Sequence, residues 1–161
     1  MIFSCSKEQY MSLTPSKITW FTLFKLPSVY FSGIRVKQIT NERCTVSVKH
    51  RWINQNPFKS MFWAVQGMAA ELSTGALVMK YIQESGSSIS MLVANNKAQF
   101  SKKARGRITF ICNDGISIKE AIQKTMETGK GQTCWMTSKG IDQQGDTVSV
   151  FYFEWTVKLR S

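Results

Sequence analysis

A single carboxylate, Glu71, stands in an otherwise apolar stretch and is the residue best suited to chemistry. Gly67 and Gly75 lie four residues to either side, so in a helix all three share one face. Because each glycine costs a helix about 1 kcal/mol relative to alanine, the pair indicates that something approaches this face closely. A carboxylate removed from water has the raised pKa that a general base needs near neutral pH. The pattern predicts a catalytic Glu71; the alternative is an acid that faces solvent or pairs with a cation, beside glycines that are helix-on-sheet contacts.

The stretch that carries Glu71 is predicted to be a long, buried helix. Residues 61 to about 83 are apolar on nearly every side, whereas a helix on a protein surface carries one apolar stripe. The preceding residues 54–60 are rich in turn-forming types, and Ser60 is placed to cap the first helical turn. We therefore expect the helix to begin at Met61, with Ser60 as its N-cap, and to be enclosed by the other elements.

Strand patterns flank this helix on both sides. Alternating apolar and polar residues predict strands at residues 33–40, 43–53, 89–95 (running on toward 103), 106–113, 132–139 and 147–159. Helical spacing predicts a short helix at residues 116–128, with Gly129 as its C-terminal cap. A sheet of this many strands is expected to curl around the one apolar helix, which gives a single α+β domain over residues 1–161.

The N-terminal segment, residues 1–27, is predicted to be helical with a break near Thr14 and Pro15. Thr14 is expected to cap a second helix that begins at Pro15, and Pro27 to end it. This helix, which is rich in aromatic residues, is expected to pack over one end of the core. The alternative is an amphipathic helix that lies on a membrane.

The predicted strands also indicate which side chains are buried. In residues 43–53, one face is predicted to carry Cys44, Val46, Val48, His50 and Trp52. His50, the one histidine of the chain, is expected to be packed and hydrogen-bonded rather than catalytic, because no serine or cysteine motif accompanies it. The opposite sheet face is less polar than a free surface, which indicates a partner chain; its members include Ile111, Val150 and Tyr152.

The charge of the chain favours either an anionic partner or a solvated basic face. The 161 residues carry a formal net charge of +11. The densest basic group has no acid within it and consists of Lys97, Lys102, Lys103, Arg105 and Arg107. Nucleic acid, an anionic membrane surface and a phosphorylated cofactor are all compatible with this charge.

The four cysteines show neither a CxxC spacing nor a metal-ligand pairing with the histidine. We expect Cys5, Cys44, Cys112 and Cys134 to be reduced, mostly buried thiols, which indicates a cytoplasmic protein. The first residues lack the basic start and the long apolar core of a signal peptide. No uninterrupted apolar run is long enough to span a bilayer, so no transmembrane segment is expected.

Around the start of the central helix, the sequence resembles hotdog-fold thioesterases of the phenylacetate-pathway type. That family has an Asn ahead of a His-Gly-Gly motif, and an acid about seven residues past the second Gly. Asn56 takes the position of the Asn, and Glu71 takes that of the acid, with Lys59 and Ser60 in the lead-in. Residues 54–71 look closer still to a branch of the same fold whose function is unknown. In place of His-Gly-Gly the chain carries Phe62-Trp63-Ala64.

The resemblance implies a hotdog fold, in which a curved antiparallel sheet wraps a long helix, and hydrolysis of an acyl-CoA-like thioester. Glu71 would be the general base or the nucleophile. The N–H group of Ala64 or Trp63 would stabilise the oxyanion, and Asn56 would position the thioester or the water. In this family the site forms at a dimer interface, so a homodimer or homotetramer is expected, with Asn56 of one chain facing Glu71 of the other.

A set of substrate-binding residues is expected beside this site: Ser60, Phe62, Gly67, Met68, Lys102, Lys103 and Arg105. The basic members are assigned from their charge alone and would hold the phosphates of coenzyme A. Phe62, Trp63, Met68 and Phe110 would line the acyl pocket. The coenzyme A thioester would be substrate or ligand, and no metal or redox cofactor is expected.

Two further functions stay open. The missing His-Gly-Gly favours a non-catalytic hotdog protein that binds an acyl-CoA or an acyl carrier without cleaving it. The net charge of +11 is compatible with a nucleic-acid binder. The sequence holds no recognition motif for RNA or DNA, however, and its aromatic residues alternate as core residues do, so no specific nucleic-acid partner is expected.

Overall fold

The structure, a computed structural model, describes residues 12–160 of the chain. These residues form an antiparallel sheet of six strands around one long helix, with shorter helices beside it. In chain order the elements are α1 (Pro15–Lys25), α2 (Pro27–Phe31), β1 (Arg35–Ile39), β2 (Cys44–Lys49), a 3-10 turn (Trp52–Asn54), α3 (Trp63–Ser85), β3 (Ile89–Phe100), β4 (Arg107–Cys112), α4 (Gly115–Thr128), β5 (Gln132–Ile141) and β6 (Thr147–Leu159). The predicted α+β architecture is confirmed.

The strands of the sheet follow the order β1-β2-β4-β5-β6-β3, and every neighbouring pair is antiparallel. The last strand, β6, has the bounds predicted for it. Its inward side chains Phe151, Phe153 and Trp155 are buried, whereas Val150 and Tyr152 on the opposite face are half-buried. β3 forms one edge of the sheet and pairs with β6 along its whole length.

The central helix α3 is buried over most of its 23 residues, as predicted. Its start is different: the helix begins at Trp63, the N-cap is Phe62, and no side chain caps it. The prediction of a cap at Ser60 is wrong because Ser60 lies in a bend and the next residue, Met61, is in a β-bridge outside the helix. Met61 bridges Gln55, and its N–H donates to the carbonyl of Ala104 at 2.8 Å.

Buried polar pairs fix α3 against the sheet. The Oγ atoms of Ser73 and Ser138 lie 2.7 Å apart. Nearer the start of the helix, Ser149 Oγ donates to Gln66 Oε1 at 2.9 Å. Because a buried polar group without a partner is costly, these pairs favour one axial position of the helix on the strands.

The second strand is shorter than predicted. β2 ends at Lys49, and the 3-10 turn that follows leaves Trp52 84% exposed, so the prediction that Trp52 shares the buried face is wrong. The side chain of Asn54 causes the bend, since it donates to the carbonyls of Lys49 and Ser32 and accepts from the N–H of Arg51. His50 is half-buried, and the prediction that it is hydrogen-bonded is wrong for its Nε2 atom, which is buried without a hydrogen-bond partner among the described residues.

The N-terminal helix α1 begins as predicted, with Thr14 as N-cap accepting from the N–H of Lys17 and Pro15 in the first turn. It ends at Lys25, and Pro27 begins α2 rather than only ending α1. Ile18 is buried in the core, so α1 packs on the domain through one face. The part of the predicted helical segment in residues 1–11 lies outside the described residues.

The cysteines Cys44 and Cys112 are free and buried, and they are register partners on β2 and β4. Burial raises the pKa of the Cys44 thiol to about 12. Cys134 is free and half-buried, and Cys5 lies outside the described residues. The predicted reduced thiols are therefore found at the three described positions.

Candidate active site

Glu71 lines an apolar cavity of about 150 Å³ between α3, the sheet and the N-terminal helices. No other lining residue can ionise. The others come from five elements of the chain and the link between α1 and α2: Phe21, Leu26, Val29, Met68, Leu72, Gly75, Met79, Met91 and Trp155. Of these, only Met68 was predicted to lie at the site. The structure therefore lines one side of the Glu71 side chain with apolar residues.

The carboxyl group of Glu71 is partly desolvated and unpaired. Glu71 is an exposed residue of the single chain, yet the apolar side chains around its carboxyl group withhold enough water to raise its pKa above the ordinary glutamate value. No cation or hydrogen-bond donor of residues 12–160 contacts the carboxylate. Glu71 is therefore not ion-paired within the described residues, whereas its exposed position matches the alternative of an acid that faces solvent. A carboxylate with a raised pKa is suited to accept a proton.

The two glycines of the Glu71 face have a packing role. A Cβ atom at Gly75 would lie 3.2 Å from the ring of Trp155, which is closer than ordinary contact. The ring is held in place because Trp155 Nε1 donates to Thr74 Oγ1 at 2.9 Å. At Gly67 a Cβ atom would meet Phe151 at 3.6 Å, which is normal contact, and Gly67 lines neither this cavity nor the next. Gly75 is thus a helix-on-sheet contact that also lets Trp155 form a wall of the Glu71 cavity.

A second cavity, of about 360 Å³, lies at the start of α3 and brings together five of the predicted site residues: Asn56, Ser60, Trp63, Lys102 and Lys103. It is completed by Met61, Gln66, Phe100, Ser101 and Ala104. Two of these residues hold the loop ahead of the helix. Asn56 Oδ1 accepts from the N–H groups of Phe58 and Ser60 at 2.9 and 3.2 Å, and Asn56 Nδ2 contacts Ser60 Oγ at 3.1 Å. Asn56 therefore shapes this cavity through the loop it stabilises.

The first turn of α3 presents free hydrogen-bond donors. Phe62 donates its N–H to the carbonyl of Asn54, while Val65 and Gln66 donate to the carbonyl of Phe62. In the part of the chain that the structure describes, the N–H groups of Trp63 and Ala64 have no acceptor. Because the N-terminal end of a helix carries partial positive charge, these two donors are suited to an oxyanion.

The predicted basic residues differ in whether an acidic side chain already pairs with their charge. Lys102 Nζ contacts Asp142 and Asp146 at 2.7 and 2.6 Å, and its hydrogen bond to Asp142 raises the pKa of Lys102. Lys103 and Arg105 are exposed, and neither forms an ion pair with an acid of the described residues. Lys103, which also lines the second cavity, is thus better placed than Lys102 to meet a phosphate.

The two cavities of one chain are separate. No residue lines both. Trp63 and Glu71 lie eight residues apart on the same helix, which corresponds to roughly 12 Å along its axis. Of the remaining predicted residues, Phe62 is 44% exposed beside Trp63, and Phe110 is fully buried in the core and lines neither cavity.

Comparisons with known proteins agree with this fold. Residues 15–157 match the model of a family described as a domain of unknown function, DUF4442. A Pseudomonas aeruginosa protein of unknown function, described as a probable thioesterase, is similar with a TM-score of 0.77 and 18% identity over 92% of this chain and 99% of that one. A Chlorobaculum tepidum protein of unknown function is similar with a TM-score of 0.77 and 16% identity over the same shares of the two chains. A Haemophilus influenzae thioesterase is similar with a TM-score of 0.71 and 11% identity over 92% of each chain.

These similarities confirm the predicted hotdog fold. No curated protein matches the sequence. Among the described helices, none combines the length and the apolar character needed to cross a membrane.

Proposed function

The chain belongs to the DUF4442 family, and from its hotdog fold and its site we propose that it hydrolyses an acyl thioester with Glu71 as general base. One observation carries the proposal: a partly desolvated, unpaired carboxylate lines an apolar cavity of about 150 Å³. The description of fold neighbours as thioesterases supports the same reaction class. A raised pKa makes the Glu71 carboxylate a stronger base than a solvated one.

In the proposed reaction the Glu71 carboxylate takes a proton from water, and the water oxygen attacks the thioester carbonyl carbon. The carbonyl oxygen gains the negative charge, and the free N–H groups of Trp63 and Ala64 stabilise it. Collapse of this intermediate re-forms the carbonyl and breaks the carbon–sulfur bond. The proton held by Glu71 passes to the departing thiolate, so that a carboxylic acid and a thiol leave. Direct attack of Glu71 on the carbonyl, followed by hydrolysis of the anhydride, gives the same products.

The complete site is proposed to form between two copies of the chain. Glu71 and the free N–H groups of the same helix are too far apart along its axis to act on one carbonyl carbon. A second copy would bring the start of its α3, with Asn56, Phe62 and Trp63, to the Glu71 cavity. The edge strand β3 supports this arrangement, because its outer side pairs with no strand of the described residues and its Met91 lines that cavity.

The second cavity supports coenzyme A as the group that carries the acyl chain. Lys103 lines this cavity, and neither it nor the exposed Arg105 forms an ion pair with a described acid. These side chains would contact the phosphates, while Lys102 keeps its contacts with Asp142 and Asp146. The acyl group would then extend past Phe62 and Met68 into the apolar cavity.

One observation favours the alternative of binding without hydrolysis. Trp63, in place of a glycine of the His-Gly-Gly motif, lies with its indole 59% exposed at the helix end whose N–H groups would stabilise the oxyanion. An indole there narrows the approach of the carbonyl group. A protein of this kind would bind an acyl-CoA or an acyl carrier and release no thiol.

The proposal is tested by thiol release from a panel of acyl-CoAs of short, long and aromatic acyl groups. Glu71→Gln keeps the size of the side chain and removes the base, so we expect kcat/KM to fall about 100-fold or more. Glu120→Gln, at an exposed position of α4, is the matched control and should retain activity. Turnover that survives Glu71→Gln would contradict the mechanism. Saturable acyl-CoA binding without any thiol release by the wild-type protein would establish the alternative.

A further inference from the structure

Three large aromatic side chains on the N-terminal helices face outward. Trp20 and Phe24 in α1 are 62% and 72% exposed, and we call this pair the aromatic face; Phe31 in α2 is also 62% exposed. The side chains that α1 turns to the core are Ile18 and Thr22. A surface helix ordinarily turns polar residues outward, whereas the rings of Trp20 and Phe24 stack with their centroids 6.1 Å apart. No described residue covers the aromatic face, and a patch of this kind indicates an interaction surface.

The charges along the same part of the chain are all positive. Residues 12–41 contain no Asp or Glu. Lys25 is exposed in the last turn of α1, and Lys17 lies one turn ahead of Trp20 and Phe21. On β1, which packs against α1, Lys37 is also exposed. The aromatic face is therefore flanked by cations, and a partner that suits it is apolar inside and anionic at its surface.

A second copy of the chain is a poor match for this surface. In a twofold interface, each copy presents the same patch to the other. The lysines of one patch would then meet the lysines of its mate, with no acid from residues 12–41 of either copy to balance them. Like charges brought together in this way oppose association.

We propose that the aromatic face docks the protein on an anionic lipid bilayer. Trp20 and Phe24 enter the headgroup region, where aromatic rings are favoured, and Lys17 and Lys25 meet acidic headgroups. Phe21 of α1, together with Leu26, also lines the Glu71 cavity, so docking would place a wall of that cavity toward the membrane. The docking surface does not depend on the proposed hydrolysis.

The test is co-sedimentation of the purified protein with vesicles, one set of phosphatidylcholine with phosphatidylserine and one of phosphatidylcholine alone. The wild-type protein should bind the first set, and less so as salt rises. For the double variant Trp20→Ser/Phe24→Ser, the partition coefficient onto these vesicles should be lower by roughly tenfold or more, because the variant loses exposed apolar area. Lys25→Gln should lower partition about fivefold, the share expected of one cation near an anionic surface.

Trp135→Ser is the matched control, since Trp135 is 45% exposed but lies on β5, and it should bind as the wild type does. Thermal unfolding confirms that each variant is folded. Equal binding to both vesicle sets, or equal loss in Trp135→Ser and in the double variant, would overturn the proposal. Absence of vesicle binding by the wild type would also overturn it. A smaller sedimenting species for the double variant in ultracentrifugation would then assign the aromatic face to contacts between copies.

Discussion

The carboxyl group of Glu71 lies among methionine and aromatic side chains, and desolvation raises its pKa in the folded chain. The folded state therefore binds this proton more tightly than the unfolded state, whose glutamate pKa is about 4.3. Between that value and the raised pKa of the folded state, stability falls as pH rises, and above both the loss is complete. An ionised Glu71 thus destabilises the fold at neutral pH, which is the pattern expected of a residue kept for function.

We predict that Glu71→Gln is more stable than the wild type at neutral pH, because the amide carries no charge to desolvate. The difference should shrink as pH falls toward about 4, where Glu71 is protonated in both states. Urea unfolding at several pH values measures this, with Glu120→Gln expected to change stability by no more than about 0.5 kcal/mol. A Glu71→Gln protein that is equally stable or less stable at neutral pH would contradict the desolvation of this carboxyl group.

Sequence alone singled out Glu71 as a candidate because an isolated acid in an apolar run is visible without a structure. The walls of its cavity were not identified, since Trp155, Met91 and Phe21 approach Glu71 only after the sheet closes on the helix. The same limit applied to Lys102. Its partners Asp142 and Asp146 are 40 and 44 residues away in sequence, so the ion pairs that balance the charge of this lysine could not be foreseen.

At the scale of elements, the sequence pattern correctly predicted those helix and strand ends that local interactions determine. Strict alternation set the bounds of β6, and the C-terminal end of α4 follows from Gly129 with a φ of 68°. The ends that depend on long-range contacts were predicted at the wrong residues. β2 is cut short by a side chain of Asn54 that reaches the carbonyl of Ser32, and α3 starts late because Met61 donates to Ala104.

The late start of α3 leaves two N–H groups free, and this can be tested with a matched pair of variants. Trp63→Pro and Trp63→Ala both remove the indole, but only proline removes the N–H. Proline fits the first helical position, and the extended backbone of Phe62, with φ −59° and ψ 136°, fits the residue before it. If Trp63 stabilises the oxyanion, kcat should be about 100-fold lower in Trp63→Pro than in Trp63→Ala.

Calorimetry on the two Trp63 variants measures acyl-CoA binding separately from hydrolysis, and so distinguishes the two proposed functions. Equal kcat values for both variants would exclude the Trp63 N–H as the oxyanion donor. Phe62→Ser then tests Ala64, because a serine at the N-cap accepts from the second helical N–H and would occupy it. A higher kcat for Trp63→Ala than for the wild type would indicate that the indole obstructs the approach of the carbonyl group.

At the scale of the molecule, the proposed mechanism divides the site between two halves of one chain. The apolar cavity is lined by Glu71, and the cavity at the start of α3 is lined by Lys103 and by Trp63, one of the two free donors. The edge strand β3 has twelve residues, most of them exposed, and its outer backbone groups pair with no described strand. Pairing of two such edges would continue the sheet and bury the exposed strand, which supports the proposal that a second copy completes the site.

A site shared between two chains predicts that two inactive variants recover activity when they form a mixed dimer. A dimer of one Glu71→Gln chain and one Trp63→Pro chain contains one site with both defects and one site with neither. Co-expression of both chains in equal amounts gives mixed dimers in half of the population, so activity should recover to roughly a quarter of the wild-type value. Thiol release by the co-purified mixture measures this, compared with the two variants purified apart and combined without unfolding. The double variant, expressed alone, should stay inactive, and a co-expressed mixture no more active than its parts would place Glu71 and the oxyanion donors of one site within one chain.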